Sequence, residues 1–590
     1  MRDWRLSKQD PRSLRIAADA RQSTPNYVDD QIWELALDGG DPQALAIETS
    51  FGLRAQRMRI FPGFSLSGGV VINPDQFFGK PFVRCAFPNY LRLSCQPFEG
   101  FDVEIEYWAR ESNLLQGRIR LQNLSGNTTS MGVRLYAQLR IGEGGEPMGE
   151  WQFKGVTSLV GRVLDLVPVL FITGGARVDQ SIYPSLIVEC NLEQGVSKSV
   201  FWVFAGLADQ VSSFESARAA VAIPWDAEIA KLELVNRAMI DIETGDPDWD
   251  AAFLFTQKVA LGAYLGPTKY LAHPSFVLSR TVDRGYSTSG DGSDYALHWD
   301  GQSSIHSYAH LPLLISVAPE LAKGVIRNFM EIQNPLGFID WKPGLGGQLN
   351  GCLSVPLLAS LTWMIYEHTE DLLFLEEIFD GLISFIELWF GEGQDRDGDG
   401  FPEWDHTVQM GFDDCPTFTP WKTWGQGLDI SKVESPDLGA YLVRECKALI
   451  KIANLLNRTE AIDLLEDHID RLCKAVEDTW DENASIYRYT DRDTHIGGEG
   501  EILGSGEGEF VLQLDREFDL PVRILIRTLG DDELSHAVQV FIHGRGNRGR
   551  HRVEKLRERH FSWFWGIGSA TSEKTYVEIE RIEIRGLSDA

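Results

Sequence analysis

Between Gly393 and Trp421 the chain reads GQDRDGDGFPEWDHTVQMGFDDCPTFTPW, a segment that concentrates carboxylates, glycines and indole rings. Asp395, Asp397 and Asp399 stand at alternate positions, and Gly400 follows where a tight turn is needed. That is the first half of a calcium loop of the EF-hand kind. His406 stands where the closing bidentate Glu belongs, so the full motif is not met. Three oxygen ligands on a turn could still hold calcium with help from elsewhere. The plainer reading is an Asp/Gly-rich turn whose side chains cap its own backbone, and the expected cofactor is none. Asp413 and Asp414 are adjacent, so their side chains diverge and one of them can face a cavity. A carboxyl among Trp404, Phe412 and Trp421 would lose solvation, and its pKa would rise toward that of a general acid. Asp413 is the candidate acid, and Asp414 the N-cap of a helix opening at Pro416.

Two further loops pair indole with carboxylate. YALHWDG carries Trp299 and Asp300 ahead of a helix, and GFIDWKPGLGGQLNG joins Trp341, Lys342, Gln348 and Asn350. A sugar presents an apolar C–H face and a rim of hydroxyls, which a tryptophan with a neighbouring carboxylate can match. Each tryptophan taken singly reads as core packing; their recurrence beside an Asp in three loops favours a sugar pocket. His306 and His310 share a helical face, but a zinc motif would need Glu after the first, where Ser307 stands.

Positioning these groups requires elements of two kinds. Up to residue 240 the pattern alternates: FDVEIEYW puts Phe101, Val103, Ile105 and Tyr107 on one face, and Ile119, Leu121, Val133, Leu135, Ala137 and Leu139 continue it. An N-terminal antiparallel β-sandwich over 1–240 is expected. Over 241–485 the period becomes helical. Pro319 opens one helix, Ser435 and Pro436 cap and open another, and paired hairpins predict a helical toroid of alternating inner and outer helices. Strands return over 486–590 as a smaller β domain, a sandwich or jelly roll.

The whole chain has 590 residues, 43% of them hydrophobic, and a formal net charge of −31. That charge repels nucleic acid and anionic membranes, so neither is an expected partner. The first residues lack an apolar signal segment, and no apolar run is long enough to span a bilayer. Seven scattered cysteines show no metal spacing and suit a reducing cytoplasm.

The order HWDG, PELAKGVIRNFMEIQNPLGFIDWKPG, LASLTWMIYEHTEDLLFLEEIF, DRDGDGFPEWDHTVQMGFDDCP and ESPDLGAYLVRECKALIKIANLL resembles glycoside hydrolase family 63 and its bacterial relatives, over residues 250–485. That family includes α-glucosidases and mannosylglycerate hydrolase-like enzymes with an (α/α)6 barrel behind a β-sandwich. The resemblance implies an inverting glycosidase acting on α-linked glucosides or mannosides, with two carboxyls about 6.5–9.5 Å apart. It implies Asp413 as general acid, although Asp414 and Cys415 replace the family's Asn and Ser. It implies Trp299 and Asp300 as holders of the terminal sugar, with Trp341 and Gln348 walling the pocket. The family's general-base Glu has no match; Glu434, Glu499 and Glu501 are bystanders. The expectation is a partial barrel with the β domain inserted in it and weak turnover from this chain alone. A non-catalytic carbohydrate-binding or assembly module is the alternative.

Overall fold

The computed structural model describes residues 4–5, 14–37, 41–142, 144–179, 182–411, 414–530 and 537–587. The chain divides into two compact units, the first formed by 1–302, 309–328 and 343–349, the second by 303–308, 329–342 and 350–590.

The first unit is built on two antiparallel sheets. In the larger, strands Gly79–Phe87, Tyr90–Phe98, Phe101–Glu111 and Leu114–Asn123 follow one another, and Ser197–Leu207 continues the sheet beside Leu114–Asn123. The second sheet centres on Thr129–Arg140 paired with Arg57–Leu66 and Ser185–Leu192. The alternation read from the sequence is the physical cause: Val103, Ile105, Ile119, Leu121, Val133 and Leu135 all enter one core with Trp33 and Phe64. Strands cease at Leu207, and helices α1 (Gln210–Val221) and α2 (Trp225–Val235) follow. Asp209 opens α1 by accepting from the Val211 and Ser212 N–H groups. Phe214 and Ala217 of α1 cover Val169, Phe171 and Val203, while Trp225, Ile229 and Leu232 of α2 cover Tyr90 and Trp108. Helix α3 (Pro247–Gly262), α4 (Ser304–Ile315) and α5 (Pro319–Glu331) come next, with Pro319 at the start of α5 as expected.

The second unit contains helices α6 (Leu358–Thr369) and α7 (Leu372–Trp389), the single-turn α8 (Thr407–Met410), and α9 (Pro436–Leu456) and α10 (Ile462–Asp478). Short connections make α6–α7 and α9–α10 hairpins. Helix α9 ends at Asn457, whose left-handed backbone (φ +56) terminates it. Pro436 opens α9 as expected, but the Ser435 hydroxyl donates to the Asp437 carboxylate instead of capping the helix. Glu445, buried on α9, accepts the Ala359 and Ser360 N–H groups at 2.7 and 2.8 Å and so caps α6 from a neighbouring helix.

The C-terminal strands form one five-stranded antiparallel sheet, built on the long pair Phe510–Leu529 and Ile567–Arg585. These strands make the smaller C-terminal β domain around their own core of Ile524, Val540, Ile542, Tyr576 and Ile579. Strand His551–Arg557 has a weak sequence pattern, because its buried face carries Glu554 beside Leu556. That carboxylate accepts from Tyr576 Oη, Glu573 N and Lys574 N. Among the described residues no helix is long and apolar enough to cross a membrane, and none of the seven cysteines forms a disulfide.

In the first unit, Lys258 of α3 is buried and its ammonium donates to the Arg15 carbonyl. Burial, with Arg15 nearby, lowers its pKa to about 7. Between that value and the unfolded value of about 10.4 the unfolded chain binds the extra proton, so this lysine makes stability rise with pH across that window. We expect Lys258→Met to melt higher than wild type at pH 7 and to show a shallower rise toward pH 10. Parallel melting curves for the two proteins across that range would refute this account.

Candidate active site

Asp413 and Phe412 lie outside the described residues, so the site is built from what surrounds them in sequence and in each unit. In the first unit, Trp299 is almost fully buried and meets Tyr295 edge-on, ring centroids 5.4 Å apart. Asp300 is 2% exposed. Its Oδ1 accepts the Leu345 N–H and, at 3.2 Å, the Gly346 N–H. The glycines of this loop are sterically required: a Cβ on Gly344 would stand 2.8 Å from Asp300 Oδ2, and one on Gly346 would stand 2.4 Å from the Gly292 carbonyl. Gln348 donates to the carbonyls of Tyr295 and Ser293. Asp300 and Gln348 thus bind the glycine-rich loop to the segment that carries Trp299. His310 stacks on Phe276 at 5.1 Å, with burial lowering its pKa, which is a packing role and not a metal ligand's.

The second unit repeats this use of a carboxylate. Asp340, beside half-buried Trp341, accepts the N–H groups of Lys342, Asn350 and Gly351 and the Asn350 side-chain amide. Asp405, beside Trp404, pairs with Arg396 and accepts from Gln394. Trp404 is fully buried and packs edge-on against Trp389 at 5.5 Å, so its rings form core contacts and no open face. Trp421 is half-buried, and its Nε1 donates to Asp414 Oδ1 at 3.3 Å. No helix begins at Pro416; the chain turns there with Phe418 and Thr419 N–H groups bonded to the Cys415 carbonyl. Asp414 is therefore not an N-cap but the partner of an indole.

The Asp-rich loop behaves partly as a turn. Asp395 spends both oxygens on the N–H groups of Gly398 and Gly400, and Asp399 caps Phe401. Sequence reasoning missed what the free side of this loop faces. Glu434 bridges Glu403 on one side and pairs with Thr490 on the other, so three short extended pieces align. Asp397, Asp399, Glu434 and His495 then bring one ligand atom each within 4.8 Å of one another. His495 Nδ1 lies 2.8 Å from Glu434 Oε1 and 3.6 Å from Asp399 Oδ2, and Nε2 lies 3.9 Å from Asp397 Oδ2. Partial burial opposes charge on His495, but Glu434 and the two aspartates outweigh it and raise its pKa. The four groups could hold a divalent cation. Calcium prefers an all-oxygen set, and a histidine is one of the four groups here. Glu403 is fully buried, and burial pushes its pKa up to about 7 against the pull of Arg396. No local signal marks Glu434 or His495, since their partner strand is remote in sequence; Asp340 was legible as the acid before Trp341. Glu499 and Glu501 are exposed, and Glu501 is held by both guanidinium nitrogens of Arg516.

Removing the Asp300 carboxylate would orphan two buried N–H donors, at about 1–3 kcal/mol each. We expect Asp300→Ala to lower unfolding free energy by at least about 2 kcal/mol, read by urea denaturation. An unchanged midpoint would show that the loop does not depend on this carboxylate.

Comparison with known proteins sets these features in a family. The mannosylglycerate hydrolase MGH1-like glycoside hydrolase domain matches residues 291–512, a span that contains Trp299, Asp300, Asp413, Glu434 and His495. Among curated proteins no sequence matches the chain. Similar solved structures include a protein assigned as a kojibiose phosphorylase from the human microbiome, 10% identical over 82% of this chain and 71% of that one, with a TM-score of 0.42. Another is a bacterial glucoamylase complexed with acarbose, 11% identical over 87% and 75% of the two chains, with a TM-score of 0.43. Residues 291–512 thus match the mannosylglycerate hydrolase MGH1-like glycoside hydrolase domain, a match that supports a glycosidase-type enzyme.

Proposed function

We propose that this glycosidase hydrolyses α-linked glucosides or mannosides with inversion, and that Asp413 is its general acid. The observation that carries the reading is the family match over 291–512, which spans the ordered motifs from HWDG to ESPDLG and so includes GFDDCP. Trp421, whose Nε1 donates to Asp414, brings an indole to the residue that follows the candidate acid in sequence. In an inverting reaction the acid protonates the leaving oxygen while a carboxylate across the ring takes a proton from the attacking water. Trp341 and Trp421, half-buried, offer indole surface to the C–H faces of a sugar. Within the first unit, Asp300 and Gln348 contribute by holding the glycine-rich loop beside Trp299, and within the second Trp404 contributes by core packing. The net charge of −31 favours a neutral sugar over an anionic one. Seven unpaired thiols suit a reducing compartment.

We expect Asp413→Asn to lower turnover of an aryl α-glucoside or α-mannoside by about 10²–10⁴-fold with its melting temperature unchanged. Full activity in that variant would remove Asp413 from the acid role. Saccharide binding by wild type with no cleavage over days would favour a recognition module instead.

A further inference from the structure

The C-terminal sheet carries a hairpin that packing does not explain. Ser562–Phe564 pairs with the start of Ile567–Arg585, with Phe564 opposite Ile567, so Trp565 and Gly566 form a two-residue loop. Both loop residues have positive φ, +48° for Trp565 and +74° for Gly566. Such hairpin turns call for Asn, Asp or Gly at both positions, and a bulky side chain held in the left-handed region is strained. The ring gains no burial in return: Trp565 is 64% exposed and Phe564 43% exposed. A strained, exposed tryptophan at a hairpin tip points to a use outside the fold.

Its neighbours indicate the use. Phe564 lies 6.3 Å from Trp421, rings inclined at 60°, and 6.2 Å from Trp565 at 54°. At those inclinations neither pair is stacked face to face. The sheet that carries the hairpin is tied to the segment of Trp421: Arg527, on the strand beside the hairpin, donates to the Lys422 carbonyl, and Thr571 Oγ1 accepts the Asp429 N–H at 3.0 Å. Trp421 in turn is bonded to Asp414, the residue after the candidate acid. An unbroken line thus runs from the catalytic segment to the hairpin tip. Phe564 and Trp565 also lie outside the family match, so they belong to what this chain adds to the shared domain.

We propose that Trp421, Phe564 and Trp565 form an aromatic platform for an additional neutral sugar unit of the substrate, so that the C-terminal hairpin selects oligosaccharides over short glycosides. This rests on the glycosidase reading of Asp413. An indole face matches the C–H face of a pyranose, and the Asp414 carboxylate beside it can accept from a hydroxyl while disfavouring an anionic sugar.

The test uses the full chain, in the Asp413→Asn background that slows turnover, with maltopentaose and an α-linked mannopentaose as probes in calorimetry. Trp565→Asn is the decisive variant, because Asn suits the turn. The expected result is an unchanged or higher melting temperature together with pentasaccharide binding weakened about five- to tenfold. Phe564→Ala should weaken it similarly, and monosaccharide binding should not move. Pentasaccharide binding equal to the parent's in both variants overturns the platform, as does a parent that binds neither pentasaccharide. A parent that is dimeric and becomes monomeric on Trp565→Asn also overturns it, since the patch then serves self-association. Hydrolysis of an aryl glycoside by the wild-type chain reads the glycosidase assignment separately, so the two can fail independently.

Discussion

Buried carboxylates that accept backbone N–H groups hold the functional loops in shape. Asp300 gathers Leu345 and Gly346, Asp340 gathers Lys342, Asn350 and Gly351, Asp395 gathers Gly398 and Gly400, and Glu445 caps helix α6. A buried carboxylate without partners would be costly, while one that receives several amide bonds is charge-assisted and well satisfied. The glycine-rich loops need this device, having few side chains of their own to pack. Each such carboxylate converts a floppy connection into a defined wall.

The same device limits what these residues can do for a substrate. The Asp300 oxygen that receives Leu345 and Gly346 is committed to the loop, and Trp299 and Trp404 are enclosed in cores. Each holds its own loop or core in shape and offers no open surface. Open aromatic surface occurs elsewhere in the second unit, at Trp421, Phe564 and Trp565. Carboxylates beside indoles shape the loops, and the exposed aromatic surface is a separate group of residues.

Around the Asp-rich turn, titratable groups from separate segments gather. Asp397, Asp399 and Glu434 converge from different segments, and His495 stands among them, its pKa raised by their charges. The alignment of Glu403, Glu434 and Thr490 makes this convergence, with very short strands doing what a longer sheet does elsewhere. Glu434 reads in sequence as an acid before a helix, and its partner at Thr490 is reachable only through the folded chain.

The amino-acid sequence by itself determined the elements whose burial has a simple period. The face of Phe101, Val103, Ile105 and Tyr107 entered the sandwich core, and Pro319 and Pro436 opened their helices, because alternation and helix-start chemistry act over a few residues. Ordered motifs were enough to indicate the glycosidase domain. Tertiary structure decided the rest: that Trp404 and Trp299 are core, that Asp414 binds Trp421 and caps nothing, and that His495 sits over Glu434. It also decided that His551–Arg557 is a strand, since its buried Glu554 is satisfied only by residues from another strand. Whether a tryptophan is core or platform, and whether a carboxylate is structural or free, depends on partners distant in sequence, and no local pattern contains them.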